Sequence, residues 1–327
     1  MDILITNFIS EIDFGEVQSF KNLQIIPLFT EGEEGPVYLT LKEALEKRLL
    51  VITEVSAQAS VPELKVINNA DIPVLLLDGE ELAGAKQNRV LNTTILVKEK
   101  SELVITVSCT EQGRWSYQTD EFFNSENIMS FKIRGKKAAN VTDSLKESGS
   151  YHSDQGAIWE NIEEMSYNAG VHSPTGAMKD VFEEKKADLD DYMKAFQCLP
   201  HQKGVFVLVG GEVAGCDMLS RETAFEVIFP KLVKSYAMDA LLEKKNNKED
   251  VAWKETAGKF MEEIKESQEK KYASLGQGWD YRFEGKDKVG SALVFDHTII
   301  HMAFFKMSKE ERAGRMSGYK RRREYRI

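Results

Sequence analysis

Cysteine is scarce: Cys109, Cys198 and Cys216 are the only three in 327 residues. An odd, sparse count excludes a disulfide framework and fits a reducing compartment. Without a Cys-x-x-Cys pair, the sequence also argues against a thiolate zinc site. Seven prolines are spread along the chain, and no Pro/Gly/Ser-rich linker divides it. Long apolar runs are missing: uncharged ones such as PVLLL and VFVLV are far short of a membrane span. The opening MDILITNFISEIDF carries acids where a secretory signal needs basic residues. The expectation is a cytoplasmic protein with no membrane segment. Positive charge is the last shortage, with 43 Lys+Arg against 53 Asp+Glu and a net charge of −10. That deficit argues against nucleic-acid binding over the whole surface, which needs cations to displace counterions.

What is present suits a globular chain. Hydrophobic residues make up 42 % and charged residues 29 %, enough for a sizeable core. Strands are expected at 23–29 (with Pro27 at an edge or bend), 49–55, 63–69, 90–97 and 103–109. Thr40 and Glu43 form a capping box at the start of a short helix. PVLLL, Asp78-Gly79 and EELAGA read as a hairpin closed by a type I′ turn. The middle shifts to helical period at 136–148, 155–168 and 177–196, after capping residues such as Asp154 and Thr175. GVFVLV, Gly210-Gly211 and EVAGCDML form a second hairpin. Helices follow at 221–245 and 250–274, with a break at Asn246-Asn247, and three C-terminal strands complete the pattern. The fold class is α+β: a β-rich N-terminal part with hairpins, a helical middle and a mixed C-terminal part. The expectation is one domain over 1–311, two lobes divided near 150 being the alternative. A basic tail, 312–327, follows with Arg315, Lys320, Arg321, Arg322, Arg323 and Arg326.

Three polar clusters follow apolar strands or precede helices. The first is Asp78, Glu80 and Glu81, continued by Gln87, Asn88 and Arg89. As a charged turn it is ordinary; at the rim of a core its carboxylates would be rigid and their proton affinities perturbed. Glu80 and Glu81 point to opposite faces of a strand. The second is Cys109-Thr110-Glu111-Gln112-Gly113-Arg114-Trp115. Arg114 either pairs with a local acid or grips phosphate, and Trp115 either plugs the core or stacks a base. The third, Ser153-Asp154-Gln155 and Ser173-Pro174-Thr175-Gly176, caps helices whose N-termini also suit phosphate.

Other motifs fail on context. Gly210-Gly211-Glu212-Val213-Ala214-Gly215 lacks the following helix of a dinucleotide fingerprint. His297 and His301, four residues apart in a strand, are separated by roughly 13 Å, too far for one metal. Cys109 has no nearby histidine and reads as a small buried thiol.

The strings LLLDGEELAGAKQNRVLNTTILV, VSCTEQGRW, SDQ, SPTGAM and PKLVKSYAMDAL together resemble the domain family named for its association with ADP-ribosylglycohydrolases and rhodanese-phosphatases. The resemblance spans roughly residues 20–245 and leaves 250–327 uncovered. Its genomic company implies NAD-derived or ADP-ribose metabolism. The family's acidic turn falls on Asp78, Glu80 and Glu81, its polar stretch on Gln87, Asn88 and Arg89, and its Glu-Gln-Gly-Arg-Trp element on Glu111 to Trp115.

The resulting expectation is an enzyme or sensor for an ADP-ribose-like or NAD-derived nucleotide, such as a glycosidic or phosphoester hydrolase. Arg89 and Arg114 would hold the pyrophosphate and Trp115 would stack on adenine. Gln87, Asn88 and Gln112 would bond ribose hydroxyls, with Asp78 and Asp154 completing the binding set. Glu80, Glu81 or Glu111 would act as general base or bind Mg²⁺, the metal that hard oxygen ligands favour. The rival is a non-catalytic interaction module whose basic tail contacts a partner or nucleic acid. A homo-oligomer stays open under either.

Overall fold

Two kinds of strand can be told apart by burial. Leu50–Glu54 and Glu63–Asn68 bury alternate residues, as one-sided strands do, whereas Gly204–Val209 is buried throughout. The computed structural model describes residues 1–32, 34–55, 62–243 and 252–308; the basic tail and the break expected at Asn246-Asn247 lie outside them. The N-terminal elements are α1 (Ile3–Ser10), β1 (Asp13–Phe14), β2 (Gln18–Phe20), β3 (Leu23–Phe29), β4 (Leu39–Thr40), α2 (Leu41–Glu46), β5 (Leu50–Glu54), β6 (Glu63–Asn68), β7 (Val74–Leu76), β8 (Glu80–Gly84), β9 (Arg89–Leu91), β10 (Ile95–Val97), β11 (Ser101–Cys109) and β12 (Phe122–Ile128). The helical middle holds α3 (Phe131–Ser148), α4 (Gln155–Ala169), α5 (Met178–Glu184) and α6 (Lys186–Ala195). Then come β13 (Gly204–Val209), β14 (Glu212–Leu219), α7 (Glu222–Leu242), α8 (Trp253–Lys265), β15 (Gln268–Ala273), β16 (Trp279–Glu284), β17 (Lys288–Phe295) and β18 (Thr298–Lys306). The fold is α+β, with the β-rich start, helical middle and mixed C-terminal part expected.

A nine-stranded sheet runs β1-β3-β13-β14-β18-β17-β16-β15, with β2 also on β3. It draws strands from both sides of residue 150. One face packs on α1 and α8 through Ile5, Ile9, Phe260 and Ile264. The other packs on helices through Phe225, Leu232 and Tyr236 of α7, Ala138 of α3 and Ile158 of α4. Beyond these helices a six-stranded sheet, β12-β8-β9-β11-β6-β5, and a three-stranded one, β10-β7-β4, close over a core of their own. Among the described residues no helix is long and apolar enough to cross a membrane.

Several local expectations change. Asp78-Gly79 does not close a hairpin: β7 pairs with β10 and β4, while β8 pairs with β12 and β9. Only Gly79 has positive φ, +83°, and a type I′ turn needs two such residues. The turn is instead stitched to other strands, Asp78 N donating to Thr94 Oγ1 at 3.0 Å and Gly79 N to the Leu91 carbonyl at 3.1 Å. The expected strand 90–97 is divided at Asn92-Thr93-Thr94, where the chain passes between sheets. Residues 268–273 are a strand, not the end of a helix. The 177–196 helix breaks at Lys185. Pro27 is not at an edge, since β13 flanks β3 throughout; it falls between the stretches paired with β1 and β2. The Thr40 capping box and the hairpin 204–219 form as expected.

Candidate functional site

The sequence-distant strings assemble at the ends of β8, β11 and α5. Met178 N donates to the Thr110 carbonyl at 2.9 Å and Gly113 N to the Thr175 carbonyl at 2.7 Å. Gln155, at the start of α4, clamps the Cys109 backbone, accepting from N at 2.7 Å and donating to the carbonyl at 2.9 Å. Thr175 does not cap a helix, as expected of it; its hydroxyl donates to Glu111 Oε1 at 2.9 Å, and Ser173 Oγ accepts from Ala177 N instead. Asp154 does cap α4, accepting from Ala157 N.

Within this junction the expected ligand-gripping charges are buried and paired. Arg114 meets Glu111 at 2.6 Å and donates to the carbonyls of Ala85, Ser116 and Gly84 and to Asn88 Oδ1, at 2.7, 3.0, 3.3 and 3.1 Å. Asn88 N donates to Glu111 Oε2 at 3.2 Å. Burial opposes ionisation of Glu111, but Arg114, Thr175 and Asn88 together hold the carboxyl below its ordinary range. Arg89 is fully buried. It donates to the Gln87 side chain at 3.1 Å and stands 3.5 Å from Glu54. Gln87 reaches the Gln112 carbonyl and also accepts from the Cys109 thiol. Glu80 accepts from Lys231 at 2.6 Å and from Leu77 N at 2.9 Å. Asp78 is bonded to Lys137 and faces Arg134 Nε at 3.5 Å.

Glu81 differs from these. The carboxyl is fully buried, Oε1 accepts from the Thr110 hydroxyl at 2.7 Å, and Oε2 receives no hydrogen bond from any described residue. Burial, only partly offset by Thr110, Ser125, Asn127 and Lys179, pushes it up to about 7 from 4.5. Between those two pH values the folded chain keeps a proton that the unfolded chain releases, so stability falls as pH rises. The loss is on the order of 3 kcal/mol. Glu81→Gln should remove this slope in denaturation curves from pH 4.5 to 8 and be at least as stable as wild type at pH 7.5. Glu111→Gln should instead lose about 2–3 kcal/mol at pH 7.5, because it leaves Arg114 buried without its anion, with the deficit shrinking as acid protonates the wild-type carboxyl.

Above this framework lies an exposed rim. Trp115 and Tyr117 are 51 % and 50 % exposed, and Lys86 Nζ stands 5.4 and 5.0 Å from their ring centroids. Phe123, 43 % exposed, lies 5.8 Å beneath Lys179 Nζ. Gly84 lets the rim loop lie close: its φ is +111°, and a Cβ there would stand 2.4 Å from Thr119 Oγ1. Trp115 therefore does not plug the core.

A second polar network, not expected from the sequence, links the sheets. Arg134 on α3 grips Asp217 with two bonds of 2.7 and 3.0 Å. Asp217 also accepts from Tyr236 at 2.8 Å and lies 3.3 Å from His301 Nε2, whose Nδ1 is 2.8 Å from Thr94 Oγ1. Thr93, Asp280 and Arg282 continue it through bonds of 2.6–2.7 Å. His301 is thus a core histidine, while His297 is exposed in a turn. Asp217 sits alone between a hydrophobic Cys216 and Met218 in the sequence, a weak pointer to a buried carboxylate. Lys231 lies in PKLVKSYAMDAL, one of the strings that carried the resemblance. Among the described residues no group of three or more His, Cys, Asp or Glu side chains could hold a metal ion.

No curated protein and no solved structure matches the chain. The family model described as the ARG and Rhodanese-Phosphatase-superfamily-associated Protein domain matches residues 11–305, so the family reaches past residue 245 through the last strand of the large sheet. The strands beyond 250 supply Asp280, Arg282 and His301 to the network that anchors the Asp78 turn, and with that span matched, the chain belongs to the ARG and Rhodanese-Phosphatase-superfamily-associated Protein domain family.

Proposed function

We propose that this protein recognises an ADP-ribose-like or NAD-derived nucleotide at the rim formed by residues 84–89, 111–121 and 173–179. The observation that carries the reading is the pair of half-exposed rings, Trp115 and Tyr117, with the Lys86 ammonium between them. An aromatic face suits adenine, and a neighbouring ammonium suits a pyrophosphate. The family's name is compatible with such a ligand. In this reading Arg89 and Arg114 shape the rim from below, their guanidinium groups being occupied by Glu54, Glu111 and carbonyls. Exposed Gln112 remains a partner for ribose hydroxyls, while Gln87 and Asn88 hold the loops. Glu81 is the acid among the three expected ones with an oxygen left for proton exchange.

Calorimetric titration of ADP-ribose and of NAD, followed by a hydrolysis assay with and without Mg²⁺, tests the proposal. Binding by wild type with a loss of at least tenfold in Trp115→Ala and Lys86→Met supports it, a base–aromatic contact being worth about 1–3 kcal/mol. Equal binding by all three, or heat for neither ligand, refutes it. The pairing of nearly every carboxylate favours a second reading, a non-catalytic interaction module; turnover in the assay would remove that one.

A further inference from the structure

Lys86, Trp115 and Tyr117 meet at the rim on a clamped backbone. Ala85 has φ +41°, a left-handed conformation uncommon for a residue with a Cβ. Its N–H donates to Thr119 Oγ1 at 2.9 Å, and its carbonyl accepts from Arg114 Nη1 at 2.7 Å and from Gln118 N at 3.0 Å. Those partners flank the two rings in the chain, Arg114 before them and Gln118 and Thr119 after them. Arg114 also donates to the Ser116 carbonyl between the rings at 3.0 Å. The ring-bearing turn and the root of Lys86 therefore form one unit, and the flexible four-carbon stem of the lysine is what keeps freedom to move. Its ammonium stands 5.4 and 5.0 Å from the Trp115 and Tyr117 centroids, and both rings are half-exposed. Ring faces attract cations through their quadrupoles, so withdrawing the ammonium would leave two fixed, solvent-accessible faces around a place already suited to positive charge. Lys271 Nζ has similar distances on β15 and β16, 4.6 Å to Trp279 and 5.1 Å to Tyr281. There Tyr281 is buried and its hydroxyl donates to Asp2, so a guest would meet one accessible ring instead of two.

We propose that the Trp115–Tyr117 pair is a binding site for a flat organic cation, which Lys86 fills in the free protein and yields to the pyridinium ring of an oxidised nicotinamide nucleotide. A lysine ammonium is compact and strongly hydrated, so it exchanges the rings for water at little cost. A pyridinium spreads its charge over an aromatic ring and gains stacking and cation–π attraction together. The displaced ammonium is then available to the ligand's phosphates. The inference rests on the nucleotide reading for the phosphate-bearing remainder of the ligand, and it narrows that reading. The oxidised dinucleotide binds in preference to its reduced form, whose nicotinamide ring is neutral, and to ADP-ribose, which has no such ring.

NMR of the indole N–H groups in the isotope-labelled full chain tests this. There are four tryptophans, and Trp115→Leu and Trp279→Leu assign the two signals of interest. The 1-methylnicotinamide cation, a pyridinium without phosphate, should shift the Trp115 signal saturably, and uncharged nicotinamide should bind at least about fivefold more weakly. Lys86→Met should tighten 1-methylnicotinamide by about two- to fivefold, because the guest no longer competes with the ammonium; this is opposite in sign to the effect of the same substitution on ADP-ribose. Lys271→Met should leave the Trp279 signal without a saturable response. Absence of a saturable Trp115 shift, equal binding of nicotinamide, unchanged or weaker binding in Lys86→Met, or a site opened at Trp279 by Lys271→Met overturns the inference. Calorimetry with ADP-ribose and with both oxidation states of the dinucleotide separates the two readings. If 1-methylnicotinamide behaves as expected and no nucleotide gives heat, the nucleotide reading falls and the cation site stands. If ADP-ribose binds, the oxidised and reduced dinucleotides bind equally and 1-methylnicotinamide leaves Trp115 unmoved, the cation site falls and the nucleotide reading stands.

Discussion

Replacing Arg134 by methionine should lower stability by about 3–5 kcal/mol, because it removes one partner of a buried ion pair and leaves the other uncompensated. Arg134 binds both oxygens of Asp217, faces Asp78, stacks over Phe305 at 4.8 Å and packs against the backbone of Gly79. Burial alone would lower its proton affinity; Asp217 and Asp78 more than reverse that, so the guanidinium stays charged. Without it, Asp217 keeps only its contacts with Tyr236 and His301 among those described. Arg134→Met/Asp217→Asn should recover part of the loss, since the orphaned charge is then gone. Chemical denaturation of the single and double variants measures both. A single variant within 1 kcal/mol of wild type would show that the network contributes little to holding the sheets together.

Arg114→Ala is the second large effect expected. The side chain makes four hydrogen bonds besides its pairing with Glu111, and three of them hold carbonyls of the loops that carry Lys86, Trp115 and Tyr117. Its removal should cost about 3 kcal/mol in denaturation. It should also abolish nucleotide binding by freeing the rim, even though the guanidinium itself is buried. Arg114→Lys separates the roles. A lysine keeps the charge but not the planar fork, so a variant that stays folded and binds weakly marks Arg114 as a positioning residue. Full binding by a folded Arg114→Ala would show that the rim needs no such clamp.

Much of the architecture was legible because burial and alternation coincide. Leu50 and Ile52 face inward beside Val51 and Thr53, and Gly204–Val209 reads as a strand at once. The errors have a common cause, which is long-range pairing. Asp78-Gly79 looks like a hairpin turn locally, yet its hydrogen bonds go to Thr94, Leu91 and Met129. Likewise 268–273, with Glu269, Lys270 and Lys271, has helix-forming composition but lies against β16; tertiary pairing overrides propensity. At the junction the strings do come together, Glu111 meeting Arg114 and Thr175, Glu81 the Thr110 hydroxyl, and Gln155 the Cys109 backbone. Sequence could not reveal their partners. Lys231 finds Glu80 from 151 residues away and Arg134 finds Asp217 from 83. Glu54 occupies a core-facing position of β5, and only the fold sets Arg89 beside it.

Hydrogen–deuterium exchange with and without saturating ADP-ribose addresses the central claim most directly, because it reports where the ligand sits. The account predicts slowed exchange in residues 84–89, 111–121 and 173–179 together, with no change at the shallow surface depression lined by Ile67, Asn68, Lys100 and Glu102. Protection confined to other parts of the chain, or none in those three stretches, would contradict it.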